Sequence, residues 1–144
     1  MTTKILVIDD DSAVTDLLAA LLRSQGFDVI ATNSSTDGLG YVREDPPDLI
    51  ILDLMMPDMD GWEVCREIRI FSQVPIIILS ALNDPSMVAS ALDAGADDYL
   101  TKPTASRVLV AHINRLIRRN ETNNHEAKSS ANNILTGPKP LPAS

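Results

Sequence analysis

The chain has 144 residues, 44% hydrophobic and 22% charged, which suits one compact domain and excludes global disorder or a fibrous architecture. Twenty acidic residues against twelve basic ones give a net charge of −8, so duplex nucleic acid and anionic membrane are poor partners. The single cysteine, Cys65, excludes a disulfide framework and any cysteine-based zinc site, and no apolar run reaches the ~18–20 residues of a membrane span.

The first predicted strand covers residues 5–8. This stretch is too short for a secretory signal, so a cytoplasmic location is expected. Val14, Leu17, Leu18, Leu21 and Leu22 then follow the i, i+3, i+4, i+7, i+8 spacing of a helix, with Ser12 as its cap and Gly26 beyond its end. Strand-like runs follow at residues 28–32, 48–53 and 75–80. Asp84-Pro85 opens a further helix, which Gly95 closes. A fifth strand covers residues 98–102, and Leu109, Ile113, Leu116 and Ile117 form the core face of the last helix. Runs dense in Ile, Val and Leu, alternating with helices, predict an α/β fold. The expected form is a (βα)5 parallel sheet with helices on both faces; if doubly wound, it would be flavodoxin-like. The composition changes near residue 119. Residues 1–119 hold the whole net charge and form the domain; residues 120–144 net zero, are rich in Asn, Ser and Thr, and are expected to be a flexible polar tail.

Ligands of open parallel sheets bind outside the carboxyl ends of the strands. Here those ends carry Asp9-Asp10-Asp11, Asp53, Ser80 and Lys102-Pro103. With a strand order of 2-1-3-4-5, Asp9 and Asp10 flank Asp53 on one side and Ser80 on the other, each about 5 Å away. Lys102 lies two strands over, within reach of its long stem. Three clustered carboxylates repel by roughly 4 kcal/mol per pair at about 4 Å, so either some protonate or a cation is present. Oxygen-only ligands in an open loop suit Mg²⁺. A carboxylate, a divalent ion, a hydroxyl and a lysine are what phosphoryl transfer to a carboxylate requires. Each residue alone has a plainer reading: Asp11 and Ser12 as helix-start residues, Ser80 as a cap, Lys102 as solvated, Tyr99, Trp62, Met55 and Met56 as packing. Only their joint placement is specific. The acidic first loop argues against flavin phosphate binding, and GxGxxG is absent. A phosphatase with an Asp nucleophile would be expected to put its nucleophile and partner acid together on the first strand.

Four strings carry a resemblance: residues 5–11 (ILVIDDD), 53–61 (DLMMPDMDG), 78–81 (ILSA) and 95–103 (GADDYLTKP). Over roughly residues 3–119 the chain resembles the receiver domain of two-component response regulators, most of all the OmpR-like winged-helix class. The resemblance implies a phosphorylation-dependent signalling switch rather than an enzyme acting on an external substrate. Asp53 would accept a phosphoryl group from the phosphohistidine of a histidine kinase or phosphotransfer protein. Asp10, Asp53 and the backbone carbonyl of Met55 would bind Mg²⁺, with Asp9 reaching it through water. Lys102 would pair with the phosphoryl oxygens, and its bond to Pro103 is expected to be cis. Ser80 would move toward the phosphoryl group and Tyr99 would turn inward, changing the surface of the fourth helix, fifth strand and fifth helix. On that surface Asp97, Asp98 and Arg119 match the family's charged pattern. His112 stands where arginine is usual, and Val88 and Val108 stand where an ion pair is common. The alternatives are a phosphorylation-dependent homodimer, an altered partner-specific interface, and a receiver-like module that binds without being phosphorylated. With no output domain in the sequence, direct DNA binding is not expected, and signalling would pass to a further protein. Apolar Met55 and Leu82, two past Asp53 and Ser80, imply slow self-hydrolysis.

Overall fold

The computed structural model describes the backbone of residues 2–136 and the side chains of residues 2–123. Strands and helices alternate: β1 (Lys4–Ile8), α1 (Ser12–Ser24), β2 (Asp28–Thr32), α2 (Ser35–Glu44), β3 (Leu49–Leu52), α3 (Gly61–Phe71), β4 (Ile76–Ser80), α4 (Pro85–Asp93), β5 (Asp98–Thr101) and α5 (Ser106–Thr136). The strands form one parallel sheet in the order β2-β1-β3-β4-β5, the order assumed above and implied by the family resemblance.

Successive side chains of a strand face opposite sides of the sheet, so an unbroken apolar run feeds two cores. Leu6, Ile8, Ile50, Leu52, Ile76 and Ile78 pack under Leu39, Val42, Val64, Ile68 and Ala91 of α2, α3 and α4. Ile5, Val7, Leu49, Ile51, Ile77 and Leu79 pack against Leu18, Leu22, Leu109, Ile113 and Leu116 of α1 and α5. Each fully buried Leu or Ile contributes about 1.5–3 kcal/mol, so the central strands anchor the domain.

The starts of α1 to α4 are capped by side chains. Asp11, not Ser12, caps α1, its carboxylate accepting the Ala13 N–H at 2.9 Å. Asp84 caps α4 with Pro85 at the first helical position. The turns after α1 and α4 use Gly26 (φ 92°) and Gly95 (φ 119°), a conformation that needs no Cβ.

Several boundaries differ from the sequence reading. β3 ends at Leu52 and β5 at Thr101, so Asp53 and Lys102 sit one residue beyond their strands. β4 begins at Ile76, because Pro75 has no N–H to give the ladder. The last helix does not end at 119; α5 is helical through Thr136, with no Gly or Pro from Ser106 to Thr136 to break it. The rest of the expected tail, residues 137–144, lies outside the described residues.

Candidate functional site

The sheet ladder runs one residue past β1 and β3. The Asp9 N–H donates to the Thr32 carbonyl at 3.2 Å and the Asp53 N–H to the Ile8 carbonyl at 2.9 Å. The two carboxylates are thereby set side by side at the strand ends, and Asp10 joins them, one ligand oxygen of each lying within 4.8 Å of the others. Asp9 and Asp53 are buried and Asp10 is exposed. The donor set is all carboxylate oxygen, with one side open to water. That fits Mg²⁺, which keeps several waters and takes few protein ligands.

Lys102 closes the other side. Its N–H donates to the Ser80 carbonyl at 2.8 Å, and its Nζ lies 2.6 Å from Asp9 Oδ2 and 3.7 Å from Asp53 Oδ2. The ammonium therefore leans on Asp9 more closely than on Asp53. Burial raises the Asp53 carboxyl above its ordinary value and the Asp9 charge adds to this, outweighing Lys102 and the Met55 and Leu54 N–H groups. Burial alone would lower the Lys102 ammonium. The hydrogen bond to Asp9 and the charges of Asp53, Asp9 and Asp11 outweigh it, and the net shift is upward.

Ser80 ends β4 fully buried, its Oγ accepting the Leu82 N–H at 3.2 Å. Tyr99, one strand over, is half-buried against the core and donates its hydroxyl to the Leu82 carbonyl at 2.5 Å. Burial raises the Tyr99 phenol, the Ser80 hydroxyl opposes this, and the Asp53 charge adds to it. The two expected switch residues thus share one loop, residues 81–84. Lys102-Pro103 is cis.

The charged residues of the expected interface are paired within the chain. Asp97 takes Arg69 and Arg119, each at 2.9 Å. Asp98 takes His112 and, at 2.6 Å, Arg115. Val108 is 44% exposed and Val88 half-buried. An apolar hollow of about 450 Å³ between α1 and α5, lined by Val14, Leu17, Leu21, Pro103 and Leu109, touches Lys102. Cys65 is buried, which pushes its thiol up to about 12 and leaves it inert.

Two residues that sequence reasoning did not single out support the site. The Asn33 amide donates to the Asp9 carbonyl at 2.8 Å and to Thr15 Oγ1 at 3.1 Å, tying the acidic turn to β2 and α1. Asp58 accepts four hydrogen bonds from residues 34–36. Neither has a sequence signal, because the partners are 18 to 24 residues away.

A family model described as the response regulator receiver domain matches residues 5–114. The chain is 44% identical over 131 residues to the transcriptional regulatory protein AfsQ1 of Streptomyces coelicolor. It is equally similar to the DNA-binding response regulator MtrA of Mycobacterium tuberculosis. In both cases 91% of the chain is aligned, and it spans 58% of the relative's length. Among solved structures, the BeF3-activated N-terminal receiver domain of Klebsiella pneumoniae RstA has a TM-score of 0.78 and 34% identity, covering 81% of this chain and 99% of that one. A domain match over most of the chain, a shared sheet order and these identities lead to one conclusion: the chain belongs to the response regulator receiver domain family, whose members work in phosphorylation-dependent two-component signalling.

Proposed function

We propose that Asp53 is the phospho-acceptor and that the phosphohistidine of a histidine kinase or phosphotransfer protein is the donor. The observation that carries this reading is the Lys102 ammonium, set 2.6 Å from Asp9 and 3.7 Å from Asp53 at the edge of a three-carboxylate cluster. A carboxylate oxygen of Asp53 attacks phosphorus in line. The P–N bond breaks, and its electron pair leaves on the imidazole nitrogen, which takes a proton. Lys102 moves from Asp9 onto the phosphoryl oxygens and neutralises charge that builds there, and the Ser80 hydroxyl donates to another oxygen. Asp10, Asp53 and the Met55 carbonyl would hold Mg²⁺, with Asp9 as an outer partner; when bound, the ion would offset the negative charge of donor and acceptor. The BeF3-activated receiver domain of RstA supports the reading, because it shares this fold and is activated by a phosphoryl mimic.

Movement of Ser80 pulls on residues 81–84, to which Tyr99 is already bonded through Leu82. The face of α4, β5 and α5 responds, and the intrachain pairs of Asp97 and Asp98 exchange partners with a target protein or a second copy. At a net charge of −8 this domain signals through protein contacts, not by holding DNA, and a cytoplasmic location goes with a kinase donor. Met55, 59% exposed, and half-buried Leu82 offer attacking water no polar partner, so the phosphorylated form is expected to outlast seconds when followed by intact mass after donor removal.

Incubation of the chain with a small phosphodonor and Mg²⁺, read by intact mass, tests the reading. One phosphoryl adduct is expected in the wild type and none in Asp53→Asn. No adduct in either would favour a module that binds unphosphorylated. Continuous donor turnover without an adduct would favour a phosphatase.

A further inference from the structure

The segment between Asp53 and α3 carries the Met55 carbonyl, and its far end is clamped to another element. Asp58 accepts the Ser35 and Thr36 N–H groups at 3.3 and 3.1 Å, and the Ser34 and Thr36 hydroxyls at 3.1 and 3.0 Å. The two N–H groups belong to the first turn of α2, where a helix lacks internal acceptors. Beside them the buried Ser35 hydroxyl donates to the Met59 carbonyl at 2.7 Å. Asp60 meanwhile caps α3 through the Glu63 N–H at 2.9 Å. α2 is itself seated tightly on β1, for a Cβ on Gly38 would lie 2.5 Å from Ile8 Cδ1. Ile8 directly precedes Asp9. At the segment's other end Gly61 leaves no room for slack, since a Cβ there would lie 2.6 Å from the Asp53 carbonyl oxygen.

We infer that Asp58 is a positioning residue, which acts through α2 and Ile8 to hold the Met55 carbonyl in register with Asp9 and Asp10. The inference rests on the metal site proposed above. The slight burial of Asp58 would raise its carboxyl, but the bonds from Thr36, Ser35 and Ser34 outweigh this and hold it well below the usual range. The clamp carboxylate is therefore charged at neutral pH.

The test is a Mg²⁺ titration of the full chain, followed by the fluorescence of its single tryptophan. Trp62 lines a hollow of about 450 Å³ together with Asp10 and Met55. Asp58→Ala is expected to weaken Mg²⁺ binding by about 10-fold, as loss of a group that orients metal ligands does. Ser34→Ala with Thr36→Val, which cuts the clamp from the α2 side, should act in the same direction and add little to Asp58→Ala. Should Asp58→Ala fail to fold, Ser34→Ala alone gives the readout through a smaller loss of affinity. A lower unfolding temperature with unchanged Mg²⁺ affinity would mean that Asp58 only caps a helix, which overturns the inference and leaves the site reading intact. Wild-type protein that binds no Mg²⁺ overturns both.

Discussion

Replacement of Lys102 by Met is expected to slow phosphorylation by a small donor about 10²–10³-fold, the usual loss when one preorganised charge-stabilising donor is removed. Nothing else in the described site supplies a cation: Asp9 and Asp53 face Lys102 alone among the described ion pairs. The same change should destabilise the metal-free domain. Breaking a buried pair costs about 3–5 kcal/mol, and the side chain of Lys102 is 24% exposed, so solvent screening brings the expectation toward about 2 kcal/mol. Mg²⁺ should restore most of this, because it neutralises the same two carboxylates. Thermal unfolding with and without Mg²⁺ checks the second effect, and donor-dependent intact mass against time checks the first. A variant phosphorylated at the wild-type rate would remove Lys102 from the chemistry.

The second large effect concerns Asp53 before any phosphorylation. Burial and the Asp9 charge raise its carboxyl in the folded state. For a carboxyl raised on folding, the favourable contribution is complete below the unfolded value and is lost as pH rises through the folded value. At neutral pH, without metal, ionised Asp53 is therefore a burden on the fold. Asp53→Asn keeps the shape and removes the charge. The variant is expected to unfold roughly 2–4 °C higher than wild type at pH 7 in chelator, on the order of 1 kcal/mol. Its advantage should shrink as pH falls through the raised folded value and be gone below the unfolded value near pH ~4, where the wild-type carboxyl is protonated in both states. Added Mg²⁺ should stabilise wild type more than the variant and narrow the gap. A variant less stable than wild type at pH 7 without metal would show that the cluster is not under charge strain.

The fold is legible in the sequence because burial on both faces leaves a strong trace. Residues 49–52 and 76–79 contain no polar side chain, and only a central parallel strand hides both of its faces. The acidic cluster is legible for a related reason: Asp9, Asp10 and Asp53 interrupt apolar runs where the sheet delivers its ligands. Less can be read where partners are remote or a long side chain has a choice. Lys102 prefers Asp9 to Asp53 by the swing of its flexible stem, which no spacing encodes. Asn33 and Asp58 look like ordinary loop residues until the β2–α2 turn meets the β1–α1 turn on one side and the β3–α3 turn on the other. Asp97 and Asp98 match an intermolecular pattern, yet each finds basic partners on its own chain, because α5 brings Arg119, Arg115 and His112 across β5. The extent of α5 escapes composition as well, since a polar stretch without Gly or Pro can continue a helix that packing has already started.

The most direct measurement is a crystal structure of the chain with beryllofluoride and Mn²⁺, the latter located by its anomalous scattering. The expected map shows beryllofluoride on the Asp53 carboxylate, with the Lys102 ammonium drawn off Asp9 onto a fluorine and the Ser80 hydroxyl on another. It places the Mn²⁺ peak between Asp10, Asp53 and the Met55 carbonyl. Beryllofluoride elsewhere than on Asp53, or a metal peak remote from these three ligands, would contradict the account.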